Sequence, residues 1–308
     1  MARVSLILVT WNSARFLPRC LDGIAQQSFR DIEVIAVDNG SADDSDAIVR
    51  ARFPDATILQ NTNNEGFSRA VNQGIARASG EFVQLVNPDA YLGPEYVEKL
   101  VEAFEARTDV GAATGKLLRA EGPGVDSKGI RMTRTGRHFD IEEGEEREVF
   151  GVSGAAAMYR MSFIRDVTLS DGQFLDEDFF TYREDADVAW RGRLFGWRAA
   201  YVPEAVGWHV RTVTPEKRRE LPAFINLHSV KNRFLMRIKN EGLYLALRNA
   251  PFELARDLVI IGAVLTIERS SLPALPWLWK NRKRIFAKRR EIQRRRRVSD
   301  RALARWFR

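Results

Sequence analysis

A mostly parallel α/β sheet flanked by helices is the fold that this 308-residue chain predicts. Three observations predict it. Short apolar runs alternate with stretches of helical period, the pattern of strands joined by crossover helices. Polar side chains recur where each run ends, so that in a parallel sheet they fall on one edge. Hydrophobic residues make up 45% of the chain, ample material for a core in one large or two modest domains. Taken in order, "SLILVTW" is the first strand and residues 15–28 the helix after it; "IEVIAVD" is followed by a helix over 43–52, "ATILQ" by one over 66–79, and "FVQLV" by one over 94–107. "VGAATGKLL" is the next strand.

The strand ends carry the chemistry. Thr10-Trp11-Asn12 close the first strand, Asp38-Asn39-Gly40-Ser41 the second, residues 61–66 the third and Asn87-Pro88-Asp89 the fourth. Any one of these reads as a turn, because proline fixes its own φ and Asn and Asp are turn formers. Four on one edge make a concave polar rim, which is a binding site. Asp89, restrained by Pro88, is a hard oxygen ligand suited to Mg²⁺ or Mn²⁺, cations that take most of their ligands from phosphate and water. Asp38 is acceptor-only and fits an imide N–H or a ribose hydroxyl, whereas Ser41 or Asp43 suits the cap of the following helix.

Composition limits the setting. A lone Cys20 leaves no internal disulfide, and the apolar start is shorter than the roughly 7–15 residues of a secretory h-region, so a reducing, cytoplasmic location is expected. The longest uncharged apolar run, Leu258 to Ile267, has ten residues, well short of the roughly 20 that cross a bilayer. Charge is uneven: fourteen Lys and Arg against Glu291 and Asp300 give residues 280–308 a net +12, which leaves −5 on the remainder of a chain whose total is +7. A basic tail on a mildly acidic body suggests an anionic surface as the tail's partner.

Several ordered motifs carry a family resemblance. "VTWNSARFLPRCLDGIAQQSF", "IEVIAVDNGSADDS", "NNEGFSRAVNQGIARASGEFVQLVNPDA", "GVSGAAAMYR" and "FLDEDFFTYREDADVAWRGRLFGW" resemble the inverting family 2 glycosyltransferases, nearest to the rhamnosyltransferase-like branch, across roughly residues 4–235. The resemblance implies a GT-A fold with a Rossmann-like sheet. It implies that Thr10, Asn12, Asp38, Asn39, Asn64, Gly66, Asn72 and Asn87 serve the nucleotide-sugar site, and that Asp89 holds the metal-diphosphate. Asn87 stands where the first Asp of an Asp-x-Asp motif often does, one negative charge fewer. His209, in "AVGWHVRTVTP", matches a histidine used as a further metal or diphosphate ligand. Asp185 matches the Asp of the family's Glu-Asp motif, the base that takes the acceptor hydroxyl proton. Glu184 and Asp187 sit beside it, where carboxylates also favour a helix N-terminus. His138 and His228 bear no catalytic mark, and Ser153 to Arg160 read as a buried strand near the acceptor.

The expected organisation is a glycosyltransferase domain over 1–220, with a nucleotide-sugar half (1–118) and an acceptor and catalytic half (119–220) that opens on a loop over 119–148. A helical, basic, membrane-associating region over 221–308 follows. In that region Phe224, Leu227, Val230, Phe234 and Ile238 recur at helical spacing, with Lys231, Arg233, Arg237 and Lys239 between them as a solvated basic face. Trp277 and Trp279 beside clustered arginines suit an anionic membrane interface, placing the chain peripherally on the inner face of the cell membrane. Three function classes follow. The first is a metal-dependent inverting transferase moving a sugar, L-rhamnose by the resemblance, from a dTDP- or UDP-linked donor to a lipid-linked or polysaccharide acceptor. A nucleotidyltransferase would want a Gly-rich loop after the first strand, and "TWNSARF" has none. A nucleic-acid-binding role for the tail finds no recognition module, so no nucleic acid is expected. The first class accounts for the most residues.

Overall fold

A computed structural model describes residues 2–211 and 223–308. Each of the five runs expected as strands forms one, and each of the four stretches between them forms a helix. The first half runs β1 (Val4–Thr10), α1 (Leu17–Ala25), β2 (Ile32–Asp38), α2 (Ser45–Arg52), β3 (Thr57–Gln60), α3 (Phe67–Ile75), β4 (Phe82–Val86), β5 (Ala90–Leu92), α4 (Tyr96–Ala106) and β6 (Val110–Arg119). All seven residues of β1 are buried, because layers cover both faces of the sheet. Val4, Leu6 and Leu8 point into the layer made by α1 and α4, with Leu21, Val97 and Leu100. Ile7 and Val9 point the other way, into the larger core. That alternation is the period-2 geometry of a strand.

The second half adds β7 (Val125–Ser127), β8 (Ile130–Met132), β9 (His138–Asp140), β10 (Glu148–Val149), β11 (Ala157–Arg160), α5 (Met161–Val167), α6 (Glu184–Leu194) and β12 (Arg198–His209). The main sheet has the order β10-β12-β6-β11-β4-β1-β2-β3, with β5 on β12 and β7 on β6. β4, β1, β2 and β3 are mutually parallel, and β11 runs antiparallel between β4 and β6. The expected loop over 119–148 is structured: β8 and β9 form a hairpin-like pair, three residues each, too short to show a period in the sequence.

Four longer helices complete the chain, α7 (Ala223–Asn240), α8 (Leu243–Thr266), α9 (Ala274–Lys280) and α10 (Arg282–Arg295), with the short α11 (Asp300–Leu303) at the end. The expected boundary at 220/221 lies outside the described residues. Ile285, Ile292, Leu303 and Phe307 share one apolar cluster with Tyr159 and Trp190, and Phe307 packs its ring against those of Phe150 and Trp190.

Two features of this region differ from the expectation. The basic positions of α7 are not solvated: Lys231, Arg233 and Lys239 are buried, and Lys239 Nζ bonds the carboxylates of Asp176 and Asp187. A buried cation requires such partners. Trp277 is half-buried under Lys231, whereas Trp279 is exposed. α8 is inverted. Between the buried Leu245 and Val264 its inner stripe is polar, Asn249, Glu253 and Asp257 at four-residue spacing, with Glu253 meeting Arg237 and Asp257 meeting Arg233 and Arg237, while Leu243, Leu247 and Leu258 are each at least 70% exposed. Among the described residues no single helix is long and apolar enough to cross a membrane.

Candidate active site

Parallel register builds the rim. Thr10 lies opposite Asp38, and Asp38 opposite Gln60, at the carboxyl ends of β1, β2 and β3. Thr10 Oγ1 donates to Asp38 Oδ1 at 2.8 Å, and the Ser41 N–H donates to Asp38 Oδ2 at 3.1 Å, which fixes the carboxylate's orientation. Asn12 adopts a left-handed φ of 50°, and its Oδ1 accepts the Ala42 N–H at 2.8 Å, tying the two strand-end loops together.

Asn39 is buried and has its amide engaged with the next loop: Nδ2 donates to Asn64 Oδ1 at 3.0 Å, and Oδ1 accepts the Glu65 N–H at 3.0 Å. Gly66 follows with φ 87°, where a Cβ would come within 2.6 Å of the Phe180 ring, so only glycine fits. Asn72 pairs with both backbone groups of Leu175, at 2.8 and 3.0 Å. Thr10, Asn12 and Asp38 thus stand at the rim, while the side chains of Asn39, Asn64 and Asn72 shape the loops around it.

Asn87, Asp89, Asp185 and His209 come together on one cavity of about 540 Å³. The pairing of β5 with β12 sets His209 opposite Ala90, and the Val210 N–H donates to the Asp89 carbonyl at 2.9 Å. His209 Nε2 therefore sits 3.5 Å from Asp89 Oδ1. Its Nδ1 lies 2.8 Å from Asp126 Oδ2, and Arg211 bridges Asp126 and Asp140 at 2.7 and 2.6 Å. Burial opposes a charge on His209, but the hydrogen bonds and charges of Asp126 and Asp89 outweigh it and raise its pKa to about 9.

This donor set fits a divalent cation once His209 releases its proton, because a cation between Asp89 and Nε2 takes the place of the positive charge that the two carboxylates hold there. Asp126 behind the imidazole orients it and leaves Nε2 beside Asp89, the arrangement in which a supporting carboxylate fixes a metal-ligating histidine. Among the described residues no group of three or more His, Cys, Asp or Glu could hold a metal. The other ligands would come from the donor's diphosphate and water.

The approach to Asp185 is strained. Phe180, Tyr182 and Arg183 all have positive φ, 65°, 67° and 72°. Such residues persist only where their surroundings over-determine them. One side chain supplies much of that restraint: Asn232 of α7, fully buried, places Nδ2 2.8–2.9 Å from the carbonyls of Phe179, Thr181 and Tyr182. Asp185 then opens α6, its Oδ2 accepting the Gly154 N–H at 3.2 Å and its Oδ1 the Ala186 N–H at 2.7 Å.

Burial raises the pKa of Asp185 above the ordinary carboxylate range, with those two amides working against the rise. Glu184 is driven up further, by burial and then by the neighbouring Asp185, and its Oε2 has no hydrogen-bond partner among the described residues. Of these adjacent carboxyls Glu184 is the one held more firmly protonated, which leaves Asp185 as the carboxylate able to accept a proton. Asp187 is fully buried and spent on Arg191, Lys239 and Asn240, at 3.1, 3.0 and 2.7 Å. Sequence reasoning missed Asp126, Arg211 and Asn232. Arg211, two residues from His209, was the one with a local signal.

A family model described as glycosyl transferase family 2 matches residues 5–168, more than half of the chain. The chain belongs to that family. This glycosyltransferase is 29% identical over 235 residues to the N-acetylglucosaminyl-diphospho-decaprenol L-rhamnosyltransferase of Mycobacterium tuberculosis, a match covering 66% of this chain and 75% of the relative. It is 26% identical to the putative glycosyltransferase EpsH of Bacillus subtilis, over 81% of this chain and 68% of that one. Among solved structures, S. aureus TarS superposes with a TM-score of 0.61 at 20% identity, covering 89% of this chain and 47% of TarS. The mannosyltransferase PcManGT of Pyrobaculum calidifontis, in complex with GDP-Man and Mn²⁺, gives 0.57 at 18% identity, covering 94% and 85%. The glycosyltransferase has the GT-A fold of these neighbours.

Proposed function

We propose that this glycosyltransferase is a metal-dependent inverting enzyme that moves a sugar, L-rhamnose, from a dTDP- or UDP-linked donor to a lipid-linked or polysaccharide acceptor of a cell-surface glycan. The observation that carries the reading is the shared cavity: a half-buried carboxylate with a raised pKa, Asp185, faces the same space as the paired Asp89 and His209. Thr10 and Asp38 bind the nucleoside at the rim. Asp185 takes the acceptor hydroxyl proton as that oxygen attacks the sugar's anomeric carbon, and the bond to the diphosphate breaks on the opposite side. One displacement inverts the configuration, so no covalent sugar–enzyme intermediate forms. Asp89 and His209 would hold Mg²⁺ or Mn²⁺, which neutralises charge on the leaving diphosphate. The likeness to the mycobacterial rhamnosyltransferase supports the choice of sugar.

The same reading places the chain in the cytoplasm, peripherally on the inner face of the cell membrane. Its supports are the exposed leucines of α8 and Trp279 beside Arg282, whose guanidinium lies 4.3 Å from the ring. A panel of nucleotide sugars with Mn²⁺, followed by release of nucleoside diphosphate, tests the reaction. Asp185→Asn should lose about 10²–10⁴-fold in turnover with nucleotide binding kept. Near-parental turnover by that variant, or a product of retained configuration by NMR, would overturn the mechanism.

A further inference from the structure

A second cavity of about 490 Å³ adjoins the catalytic one, and Arg137, His138, Arg183 and Ser229 line both. Its walls differ in kind. One carries four guanidiniums, those of Arg137, Arg183, Arg233 and Arg256, against the single carboxylate Glu268 among the described residues. Arg233 is buried and engaged, by Asp257 at 3.2 Å and by the Thr135 carbonyl at 2.7 Å, and Arg183 Nη1 lies 3.2 Å from His138 Nδ1, so Arg256 is the guanidinium of this wall that stands open to solvent. Arg256 is exposed and makes no hydrogen bond or ion pair among the described residues. His138 adds no charge at neutral pH, because burial and then Arg183 and Arg137 push it down to about 3.

The other wall is aliphatic. Val259, Ile260, Ala263 and Val264 of α8 supply it, and Val259 is also 62% exposed, so the wall continues onto the inverted outer face of that helix. Apart from His138 no aromatic ring among the described residues lines the space, which offers a nucleobase little to stack on. Guanidiniums in a row bind phosphate oxygens, often two at a time. An apolar path from those phosphates to an exposed apolar surface fits a hydrocarbon chain.

We propose that this second cavity is the acceptor site for a lipid diphosphate, with the arginine wall on the two phosphates and α8 guiding a polyprenyl-type chain outward. The proposal rests on the glycosyl-transfer reading and narrows it, since a sugar on that diphosphate would reach past Arg183 and His138 towards Asp185. A polysaccharide acceptor has no use for the aliphatic wall. A free phosphate has none either.

The test is calorimetry on the full chain with Mn²⁺ and a saturating nucleoside diphosphate, so that the donor site is filled. The titrants are farnesyl diphosphate, farnesol and inorganic diphosphate. Farnesyl diphosphate should bind, and the other two at least about 10-fold more weakly, each lacking one half of the contacts. Arg256→Gln and Ala263→Trp should each weaken farnesyl diphosphate by about 10-fold or more, one by removing a charge and the other by filling the space. Both positions are at least partly exposed, and the affinity for nucleoside diphosphate reports that each variant is folded. Equal farnesyl diphosphate affinity in the parent and both variants overturns the proposal alone, as does inorganic diphosphate binding as tightly as the farnesyl compound. If no nucleoside diphosphate binds the parent chain, the transferase reading fails and takes the proposal with it.

Discussion

Replacing Asn232 by Ala should slow catalysis although Asn232 does not itself line the cavity. Its Nδ2 lies within 2.9 Å of three carbonyls in the loop before Asp185. A neutral hydrogen bond contributes about 0.5–1.5 kcal/mol, and a buried group left unpaired costs about 1–3 kcal/mol, so the variant loses roughly 2–4 kcal/mol of restraint. Against this stand three residues at positive φ, each storing about 1–3 kcal/mol. The balance tips, and the loop relaxes away from the geometry that aims Asp185. Displacements of about 1 Å at a reacting group cost up to about 10²-fold, so kcat should fall about 10- to 100-fold. The nucleoside diphosphate Kd should stay within about two-fold, because Thr10 and Asp38 sit on other elements, and that split between kcat and binding is what a general loss of stability would not produce. Steady-state kinetics with calorimetry on the same preparation reads both. Asn232→Asp separates packing from hydrogen bonding: it keeps the shape but turns a carboxylate towards three carbonyls. If Asn232→Asp turned over at the parental rate, the restraint argument would be wrong.

Asp89→Ala should abolish the gain in nucleoside diphosphate affinity that Mn²⁺ gives over EDTA, measured by calorimetry; equal affinities with and without Mn²⁺ in the parent chain would remove the metal from the reaction. The acid limb of kcat/KM should lie above the ordinary Asp value of about 3.9, because burial raises Asp185 and the base works only when deprotonated. Activity therefore rises with pH through that limb, and a plateau continuing down to about pH 4 would contradict the assignment. Leu254→Glu with Leu258→Glu should cut co-sedimentation with anionic liposomes far more than added salt does, since both side chains point outward from α8. Unchanged sedimentation would mean that α8 does not meet the membrane.

The parallel half of the sheet was legible because aliphatic runs and helical periods are local signals, and so was the rim, because parallel strands all end on one edge. Asp126 was not legible. It lies 83 residues from His209, in a Gly-rich stretch whose strands are three residues long. Lys239 was misread as surface because a buried lysine has no local mark; its partner Asp176 is 63 residues away. The polar stripe Asn249, Glu253, Asp257 could be read from spacing, but which side of α8 faces inward depends on Arg233 and Arg237 of another helix. The tail's charge was counted correctly, yet Lys288 is buried against Asp176, and Arg284 and Arg297, though more than half exposed, are paired with Asp178 and Asp166.

The buried charges also constrain how this gene can be recombined. The family model ends at residue 168, a natural place to cut when joining one relative's donor-binding half to another's remainder. Asp176, Asp187 and Arg191 lie just beyond it, while Lys239 and Lys288 come much later, and all five meet in one buried cluster. A crossover between 191 and 239 would pair acids from one parent with whatever the other supplies. Each uncompensated buried charge costs about 3–5 kcal/mol, a large part of a domain's stability. Residues 171–297 should therefore be exchanged as one block, and Asp185 travels inside it.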